Sequence, residues 1–177
     1  MTYILDSYSE LNRDGARNLN GTVNGVGQSF TPNINASLYS VTLYLLKVGT
    51  PTGMAYANLY THSGAYGTSS VPTGTPLAVS NPFDVSTLST SYSLVEILFK
   101  TMNTIFLTAN SNYVITLEYA NGSSSNYVSV GDKINSPTHS GNESYYSSGA
   151  WNSSSTRDVC FYLNGSQASP LPTLFTS

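Results

Sequence analysis

Charged side chains are scarce in this sequence: they form 8% of its 177 residues, against about 25% in a typical soluble domain. Lysine and arginine together number six, and the formal net charge is −3. Because phosphate binding needs clustered basic groups, nucleic acid is not an expected partner. Serine, threonine and asparagine replace the missing charge, with 66 of the 177 residues. They favour strands and turns, which argues against a helical bundle or a helix-rich enzyme.

Cysteine is nearly absent too. The single Cys160 cannot form an intramolecular disulfide or a cysteine-based metal site, and its apolar surroundings predict a buried thiol. The two histidines, His62 and His139, each lie in the tetrapeptide Thr-His-Ser-Gly. They could pair as metal ligands, but zinc needs further ligands that the spacing does not supply, so turns are favoured. Asp132 and Asp158 are candidates for a calcium ion at the rim, without EF-hand-like spacing. We expect no metal and no cofactor.

Long apolar runs are missing as well. The longest, around residues 41–46 and 114–117, are far below the roughly 20 residues of a membrane span, so a membrane is not an expected partner. Residues 1–10 contain no apolar segment behind a basic start, so we expect synthesis in a cytoplasm. A surface rich in hydroxyl groups is nevertheless common on extracellular or virion-exposed modules. A phage structural protein, released by lysis, would satisfy both expectations.

Catalytic motifs are also lacking. No Gly-x-Ser-x-Gly elbow occurs, and no base is indicated near Cys160. Glycoside hydrolysis would need two carboxyl groups, which Glu96, Glu118 and Asp84 could supply. The nine acidic residues are scattered singly, however, and exposed strand carboxylates commonly serve only to limit association. We therefore predict no catalytic residues and no enzyme activity.

Alternation of apolar and polar residues with a period of two dominates the chain from Gln28 onward. The clearest predicted strands cover residues 41–46, 55–60 and 113–119. Others are predicted near residues 77–79, 95–99, 105–107, 127–130, 144–147 and 159–163, and Asn121-Gly122 predicts a hairpin turn. About nine short strands without helical crossovers must pair antiparallel and bury their apolar faces. The prediction is an all-β fold, an antiparallel two-sheet β-sandwich of jelly-roll type, although a single barrel also fits the strand count.

The chain divides into three predicted parts. Residues 1–27 form an extended N-terminal arm that carries five of the fifteen charged residues. Residues 28–164 form the sandwich, and residues 165–177 form an apolar tail whose prolines exclude a central strand. Both flanking segments could lie along neighbouring subunits in an assembly. The candidate assembly contacts are Asp6, Glu10, Arg13, Arg17, Leu174 and Phe175.

Aromatic residues are the one feature with a plausible binding chemistry. Tyr145, Tyr146 and Trp151 cluster among glycine and serine, beside a predicted loop. An exposed ring can stack on the apolar face of a sugar while nearby polar groups bind its hydroxyls, so these three are the candidate carbohydrate-binding residues. The alternative is structural, with Trp151 closing one end of the sandwich and the tyrosines lying across a sheet face.

Segments spread over residues 6–164 resemble a recurring β-sandwich module. They include Gln28-Ser29-Phe30-Thr31, Tyr44-Leu45-Leu46-Lys47-Val48-Gly49, Ala57-Asn58-Leu59-Tyr60, Leu77-Ala78-Val79-Ser80, Tyr113-Val114-Ile115-Thr116-Leu117 and Gly149-Ala150-Trp151. The module resembles choice-of-anchor and carbohydrate-binding-like jelly-roll domains. The opening Asp6-Ser7-Tyr8-Ser9-Glu10, with Gly25-Val26-Gly27-Gln28-Ser29-Phe30, looks most like a phage-associated branch. The resemblance implies a jelly-roll-like sandwich and a role in adhesion or virion construction.

Two functions from different classes follow. The first is a non-enzymatic virion structural protein, a capsid cement or decoration protein located in the virion. Its expected partners are the major capsid protein or other virion proteins, further copies of the chain as a homo-oligomer, and surface glycans. The alternative is a carbohydrate-binding adhesion module that uses its exposed aromatics. An enzyme on the same scaffold is a third hypothesis, because a fold does not determine a function.

Overall fold

The computed structural model describes residues 2–99 and 105–167. Within them the chain forms fifteen strands and two short 3-10 turns. The strands are β1 Thr2–Tyr8, β2 Gly15–Leu19, β3 Val23–Phe30, β4 Ala36–Val48, β5 Met54–Ser63, β6 Val71–Val79, β7 Phe83–Asp84, β8 Ser93–Leu98, β9 Phe106–Leu107, β10 Tyr113–Glu118, β11 Tyr127–Lys133, β12 Glu143–Ser147, β13 Ala150–Ser154, β14 Asp158–Val159 and β15 Phe161–Gln167. The 3-10 turns cover Glu10–Asn12 and Val85–Thr87.

The strands form two antiparallel sheets packed as a sandwich, which confirms the predicted fold class. The eight-stranded sheet has the order β1-β15-β4-β11-β14, with β2 paired to β11 and with β8 and β9 paired to β4. The seven-stranded sheet has the order β13-β12-β3-β10-β5-β6, with β7 paired to β5. The chain crosses repeatedly between them, since β3, β5, β10 and β12 lie in one sheet and β4, β8, β11 and β15 in the other.

The core lies between the sheets and follows from the alternation within each strand. In β10, Ile115 and Leu117 are buried in the core, whereas Thr116 and Glu118, which alternate with them, point to the other face. Large side chains from both sheets are fully buried here, among them Phe30, Leu59, Leu117, Leu45, Phe161 and Leu163. Cys160 is buried as well, as its apolar surroundings predict.

The N-terminal segment differs from the expected arm, because it supplies three strands of the sandwich. β1 pairs with β15, β2 pairs with β11, and β3 lies between β10 and β12. Leu5, Leu19 and Val26 anchor these strands in the core. Strand pairing depends on backbone hydrogen bonds, which Gly, Asn and Ser provide as well as other residues do. This segment can therefore form strands although its sequence shows little apolar alternation.

Two details of the connections also differ from expectation. Asn121-Gly122 does not close a hairpin, because β10 belongs to the seven-stranded sheet and β11 to the eight-stranded one. Gly122 packs so closely on Leu19 that an added Cβ would lie 2.1 Å from its carbonyl oxygen. A hairpin turn occurs instead at Ser148-Gly149, where both residues have positive φ. This turn joins β12 to β13, so Trp151 lies on a strand rather than in a loop.

The predicted tail lies mostly outside the described residues. Its first three residues, 165–167, complete β15. The candidate contacts Leu174 and Phe175 are beyond the part of the chain that the structure describes. Among the described residues, no helix has the length and hydrophobicity needed to cross a membrane.

Candidate functional site

Five residues on neighbouring strands form one row across the outer face of the seven-stranded sheet. Trp151 of β13 pairs with Tyr146 of β12, which pairs with Gly25 of β3. Gly25 in turn pairs with Glu118 of β10, and Glu118 pairs with Tyr56 of β5. The alternate residues of β3 and β10 are in the core, so this row faces away from it. The fold therefore brings together aromatic residues and a carboxylate that are distant in sequence.

Gly25 forms the floor of this row because it has no side chain. A Cβ at this position would lie 2.9 Å from Trp151 Cη2, 3.2 Å from Glu118 Cγ and 3.3 Å from Tyr146 Cβ. The indole, the carboxylate stem and the tyrosine therefore converge on one point above the glycine. Any larger residue would displace these side chains, so glycine lets them pack closely over β3.

The row lies in an open cleft of about 500 Å³, within the range of roughly 300–1,000 Å³ that is usual for ligand sites. Its lining consists of Asn24, Met54, Tyr56, Tyr60, Glu118, Tyr119, Ala120, Tyr146 and Trp151. Trp151 meets Tyr146 edge to face with ring centroids 5.5 Å apart, and Tyr60 likewise at 6.4 Å. These contacts hold the indole in position, since edge-to-face pairs are favourable arrangements of aromatic rings.

Glu118 is fixed in the cleft by two neutral donors. Its Oε1 accepts hydrogen bonds from the Tyr60 hydroxyl and the Thr116 hydroxyl, each at 2.9 Å. Burial and the neighbouring Glu118 charge raise the pKa of Tyr60 above its ordinary value, so this phenol stays protonated and continues to donate. Within residues 2–99 and 105–167, no donor is hydrogen-bonded to Glu118 Oε2. One carboxylate oxygen is thus held, and the other is available to a ligand.

The structure brings two of the three predicted carbohydrate-binding residues into the cleft. Trp151 and Tyr146 line it, whereas Tyr145 does not. Tyr145 pairs with Val26, which lies in the core, so its ring is on the opposite face of β12, where the Arg17 guanidinium lies 4.4 Å from its centroid. Successive side chains of a strand point to opposite faces, so the two adjacent tyrosines do not share one surface, and a role of Tyr145 in sugar binding stays a prediction.

Sequence reasoning missed the other half of the cleft. Tyr56, Tyr60 and Glu118 line it and Gly25 lies beneath it, and the sequence does not group these residues with Trp151. The tyrosine-bearing face of the predicted strand 55–60 was a partial signal, since it places Tyr56 and Tyr60 on one side. Their position opposite Trp151 depends on the registers of β3, β10 and β12, which are long-range pairings without a local sequence signal.

The other candidate acids do not join Glu118. Asp84 caps a 3-10 turn and accepts a hydrogen bond from the Ser86 backbone N–H, which lowers the pKa of its carboxyl group. Glu96 lies on the eight-stranded sheet and accepts a hydrogen bond from the Ser40 hydroxyl at 2.6 Å. Of the described lining residues, Glu118 is the only one with a carboxyl group.

The two histidines have separate surroundings. His62 Nε2 lies 3.0 Å from the Ser70 hydroxyl, near the end of β5. His139 Nδ1 accepts a hydrogen bond from the Gly141 backbone N–H, and its Nε2 lies 3.2 Å from an Asp6 oxygen. In the part of the chain that the structure describes, no group of three His, Cys, Asp or Glu residues could hold a metal ion.

The proposed calcium candidates are both buried and engaged. Asp132 Oδ2 accepts a hydrogen bond from Arg157 Nε at 2.9 Å. Asp158 accepts hydrogen bonds from the Gln28 amide and the His139 backbone N–H. Neither aspartate is at an open rim, since their exposed fractions are 0% and 1%. Both carboxylates therefore serve contacts inside the protein.

The charged residues of the predicted arm also contact the sandwich itself. Asp6 faces His139, Glu10 accepts a hydrogen bond from the Tyr162 hydroxyl, Arg13 lies over the Tyr92 ring, and Arg17 pairs with Glu143. These contacts hold residues 6–17 against the eight-stranded sheet and the core. They give the four side chains an intramolecular role, and their part in assembly stays a prediction.

Comparison with known proteins identifies no relative. No protein-family model, curated protein or solved structure matches this chain. We therefore infer the function from the chemistry of the cleft. It combines aromatic rings with a carboxylate that is held by two hydroxyl donors, and these side chains pack over a glycine.

Proposed function

We propose that this protein is a non-enzymatic carbohydrate-binding module and that the cleft on its seven-stranded sheet is the glycan site. The observation that carries the proposal is the row Trp151, Tyr146, Gly25, Glu118 and Tyr56. It combines a flat apolar surface with a fixed hydrogen-bond acceptor in one open cleft.

Sugars present two kinds of surface, and the cleft offers a partner for each. The C–H groups of a pyranose ring form an apolar face, which packs against aromatic rings such as the half-buried Trp151 and Tyr146. The ring hydroxyls need hydrogen-bond partners, and Glu118 Oε2 and the Asn24 side chain line the same cleft. A cleft with an apolar lining and a few placed polar groups is typical of small-ligand sites.

The rings are already ordered before a ligand arrives. Trp151 is held between Tyr146 and Tyr60, and the β12–β13 hairpin that carries it is closed by a tight turn. A preorganised site loses less conformational entropy on binding, so more of the contact energy appears as affinity. This is a reason to favour a binding role for these aromatics over a purely structural one.

Binding is favoured over hydrolysis by the carboxyl groups of the cleft. Most glycoside hydrolases place two carboxyl groups about 5–9.5 Å apart across the scissile bond. Among the lining residues that the structure describes, Glu118 stands alone, and one of its oxygens is occupied by Tyr60 and Thr116. The arrangement supports recognition of a sugar without cleavage.

The proposal agrees with the resemblance to choice-of-anchor and carbohydrate-binding-like domains. Those families are expected to be two-sheet β-sandwiches, and this chain is an antiparallel two-sheet sandwich. Membership in such a family is part of the proposal, supported by the fold class and by an aromatic cleft on a sheet face.

The role of a capsid cement or decoration protein stays a prediction. Of its candidate contacts, Asp6, Glu10, Arg13 and Arg17 bind within the sandwich, and Leu174 and Phe175 lie outside the described residues. The predicted partners are capsid proteins and further copies of the chain, and the predicted location is the virion. These predictions still have to be tested. They are compatible with the glycan site, because a decoration protein can also bind surface glycans.

The test is a glycan array with the full chain and two aromatic variants. Wild type should bind a defined set of glycans, and Trp151→Ala should lose about tenfold in affinity, because it removes the ring against which the sugar packs. Tyr39→Ala is the matched control, because Tyr39 is exposed and does not line the cleft. An array without signal, or equal binding by wild type and Trp151→Ala, would overturn the proposal.

A further inference from the structure

Among the residues that the structure describes, none brings a cation to balance the negative charge of the cleft. Glu118 is the only charged residue among the lining residues that the structure describes. The described basic side chains are engaged elsewhere: Arg13 lies over Tyr92, Arg17 and Arg157 pair with Glu143 and Asp132, Lys47 donates to the Ser86 carbonyl, and Lys133 pairs with Asp14. The two groups that bind Glu118, the hydroxyls of Tyr60 and Thr116, are neutral.

The aromatic rings reinforce this negative potential. The face of an aromatic ring is the negative end of its quadrupole and attracts cations within about 6 Å of its centre. Trp151, Tyr146 and Tyr56 share the row with Glu118, and Trp151 Cη2 and Glu118 Cγ flank the same point above Gly25. A ligand stacked on the indole would therefore place its ring substituents beside the free Glu118 oxygen.

We infer that the cleft prefers glycans that carry a free, protonated amine, such as oligomers of a de-N-acetylated hexosamine, and that it rejects anionic glycans. The inference rests on the proposed glycan site and names its ligand class. An ammonium group can donate hydrogen bonds to Glu118 Oε2 and neutralise its charge, and its pyranose ring can stack on Trp151. A uronate or sulfated sugar would bring a second negative charge to a half-buried carboxylate, which is unfavourable.

Glu118 is the specificity-determining residue in this account, whereas Trp151 supplies stacking to any sugar. The two contributions are separable because they act on different parts of the ligand. Acetylation of the amine removes the positive charge and leaves the ring face unchanged, so a matched pair of oligomers isolates the contribution of Glu118.

The experiment is isothermal calorimetry with the full chain at about pH 6, using three oligosaccharides of equal length. They are a hexamer of β-1,4-linked glucosamine, its fully N-acetylated counterpart and an oligogalacturonate. Wild type should bind the free-amine hexamer at least tenfold more tightly than the acetylated one, and should not bind the oligogalacturonate. The preference should weaken as salt increases, because exposed charge pairs are screened.

Glu118→Gln is the diagnostic variant. Glutamine keeps an oxygen that can accept hydrogen bonds from Tyr60 and Thr116, so the cleft should persist, with an unfolding midpoint close to wild type. The variant should bind both hexamers about equally, because glutamine carries no charge and the two oligomers present the same ring face. If this variant is unstable, the salt dependence of the wild-type preference tests the same charge.

The outcomes separate this inference from the proposed function. If wild type binds acetylated or anionic sugars as tightly as the free-amine hexamer, or if the preference survives both Glu118→Gln and high salt, the amine preference is wrong and the glycan site stands. If choline chloride displaces the hexamer while glucosamine monomer does not, the site recognises a quaternary ammonium group rather than an amino sugar, and the inference also fails. If no glycan of any charge binds, both proposals fail.

Discussion

Glu143 and Asp132 face each other in the interior, each from a different sheet. Glu143 lies on β12 and Asp132 on β11, and both side chains are fully buried. Glu143 Oε2 and Asp132 Oδ1 have no hydrogen-bond partner among the described residues. A single proton shared between the two carboxyl groups would satisfy both oxygens at once, because a protonated carboxyl donates and a carboxylate accepts.

The surroundings of this pair favour that proton. Burial raises the pKa of Glu143 to about 7, the charges of Arg17 and Arg157 oppose the increase, and the neighbouring Asp132 adds to it. Arg17 Nε donates to Glu143 Oε1 at 2.9 Å, and Arg157 Nε donates to Asp132 Oδ2 at the same distance. The four residues form a polar link between the two sheets.

The first prediction concerns stability and pH. The folded protein binds the Glu143 proton more tightly than the unfolded chain, whose pKa is near 4.5. The free energy of unfolding should therefore decrease as pH increases from about 5 to about 8. Urea unfolding at four pH values checks this, and Glu143→Gln should flatten most of the slope. Asp158, whose pKa is also raised by burial, adds a contribution of the same sign, and His62, whose pKa is lowered by burial, adds one of the opposite sign.

Asp84→Asn is the control for the pH series. Hydrogen bonds to Ser86 lower the pKa of this carboxyl, so its contribution to stability is constant between pH 5 and 8 and is lost only as pH falls below about 4. The variant should therefore keep the wild-type slope between pH 5 and 8. A wild-type stability that is constant or increases between pH 5 and 8 would contradict the shared proton.

The second prediction concerns Arg157. Replacing it with methionine leaves the buried Asp132 and Glu143 charges without one of their cations, and this should cost about 3–5 kcal/mol. The loss should be larger at pH 8 than at pH 5, because Glu143 is then more fully ionised. Lys133→Met is the matched control: its ion pair with Asp14 is partly exposed and should contribute less than about 1 kcal/mol. Equal losses in the two variants would be evidence against a linked buried pair.

The third prediction concerns the floor of the cleft. In Gly25→Ala the new methyl group would displace the tip of the Trp151 ring, so glycan affinity should decrease by about tenfold while the protein still folds. Gly131→Ala on β11 of the other sheet is the control. There the added Cβ would meet Tyr44 Cδ1 at 3.0 Å and Arg13 Cδ at 3.1 Å, away from the lining residues and from the groups that hold Glu118. It should reduce the thermal midpoint but leave affinity unchanged; a similar affinity loss in both variants would contradict the assigned floor.

The sequence predicted those strands that have one apolar face. Residues 41–46, 55–60 and 113–119 lie within β4, β5 and the β10 region because their alternation matches the pleat. The alternation does not predict β1 and β2, because these edge strands are held mainly by backbone hydrogen bonds and a few anchors such as Leu5 and Leu19.

The candidate site could be predicted only where its residues are close in sequence. Trp151 and Tyr146 were identified because five positions separate them, and the β12–β13 hairpin does bring them together. Glu118 and Tyr56 join them through two further strand pairings, and these depend on how the whole sheet packs. The face on which Tyr145 lies could not be predicted, because the register of β12 that decides it is set by the pairing with β3.

The most direct test of the glycan cleft uses the fluorescence of Trp151. This residue is the only tryptophan in the chain and it lines the cleft, so its emission reports on that site alone. Titration with an array-positive glycan should give a saturable change in emission, with a midpoint equal to the calorimetric dissociation constant and shifted at least about tenfold in Gly25→Ala. Calorimetric binding of the same glycan with no change in Trp151 emission, and with equal affinity for Gly25→Ala, would contradict the account.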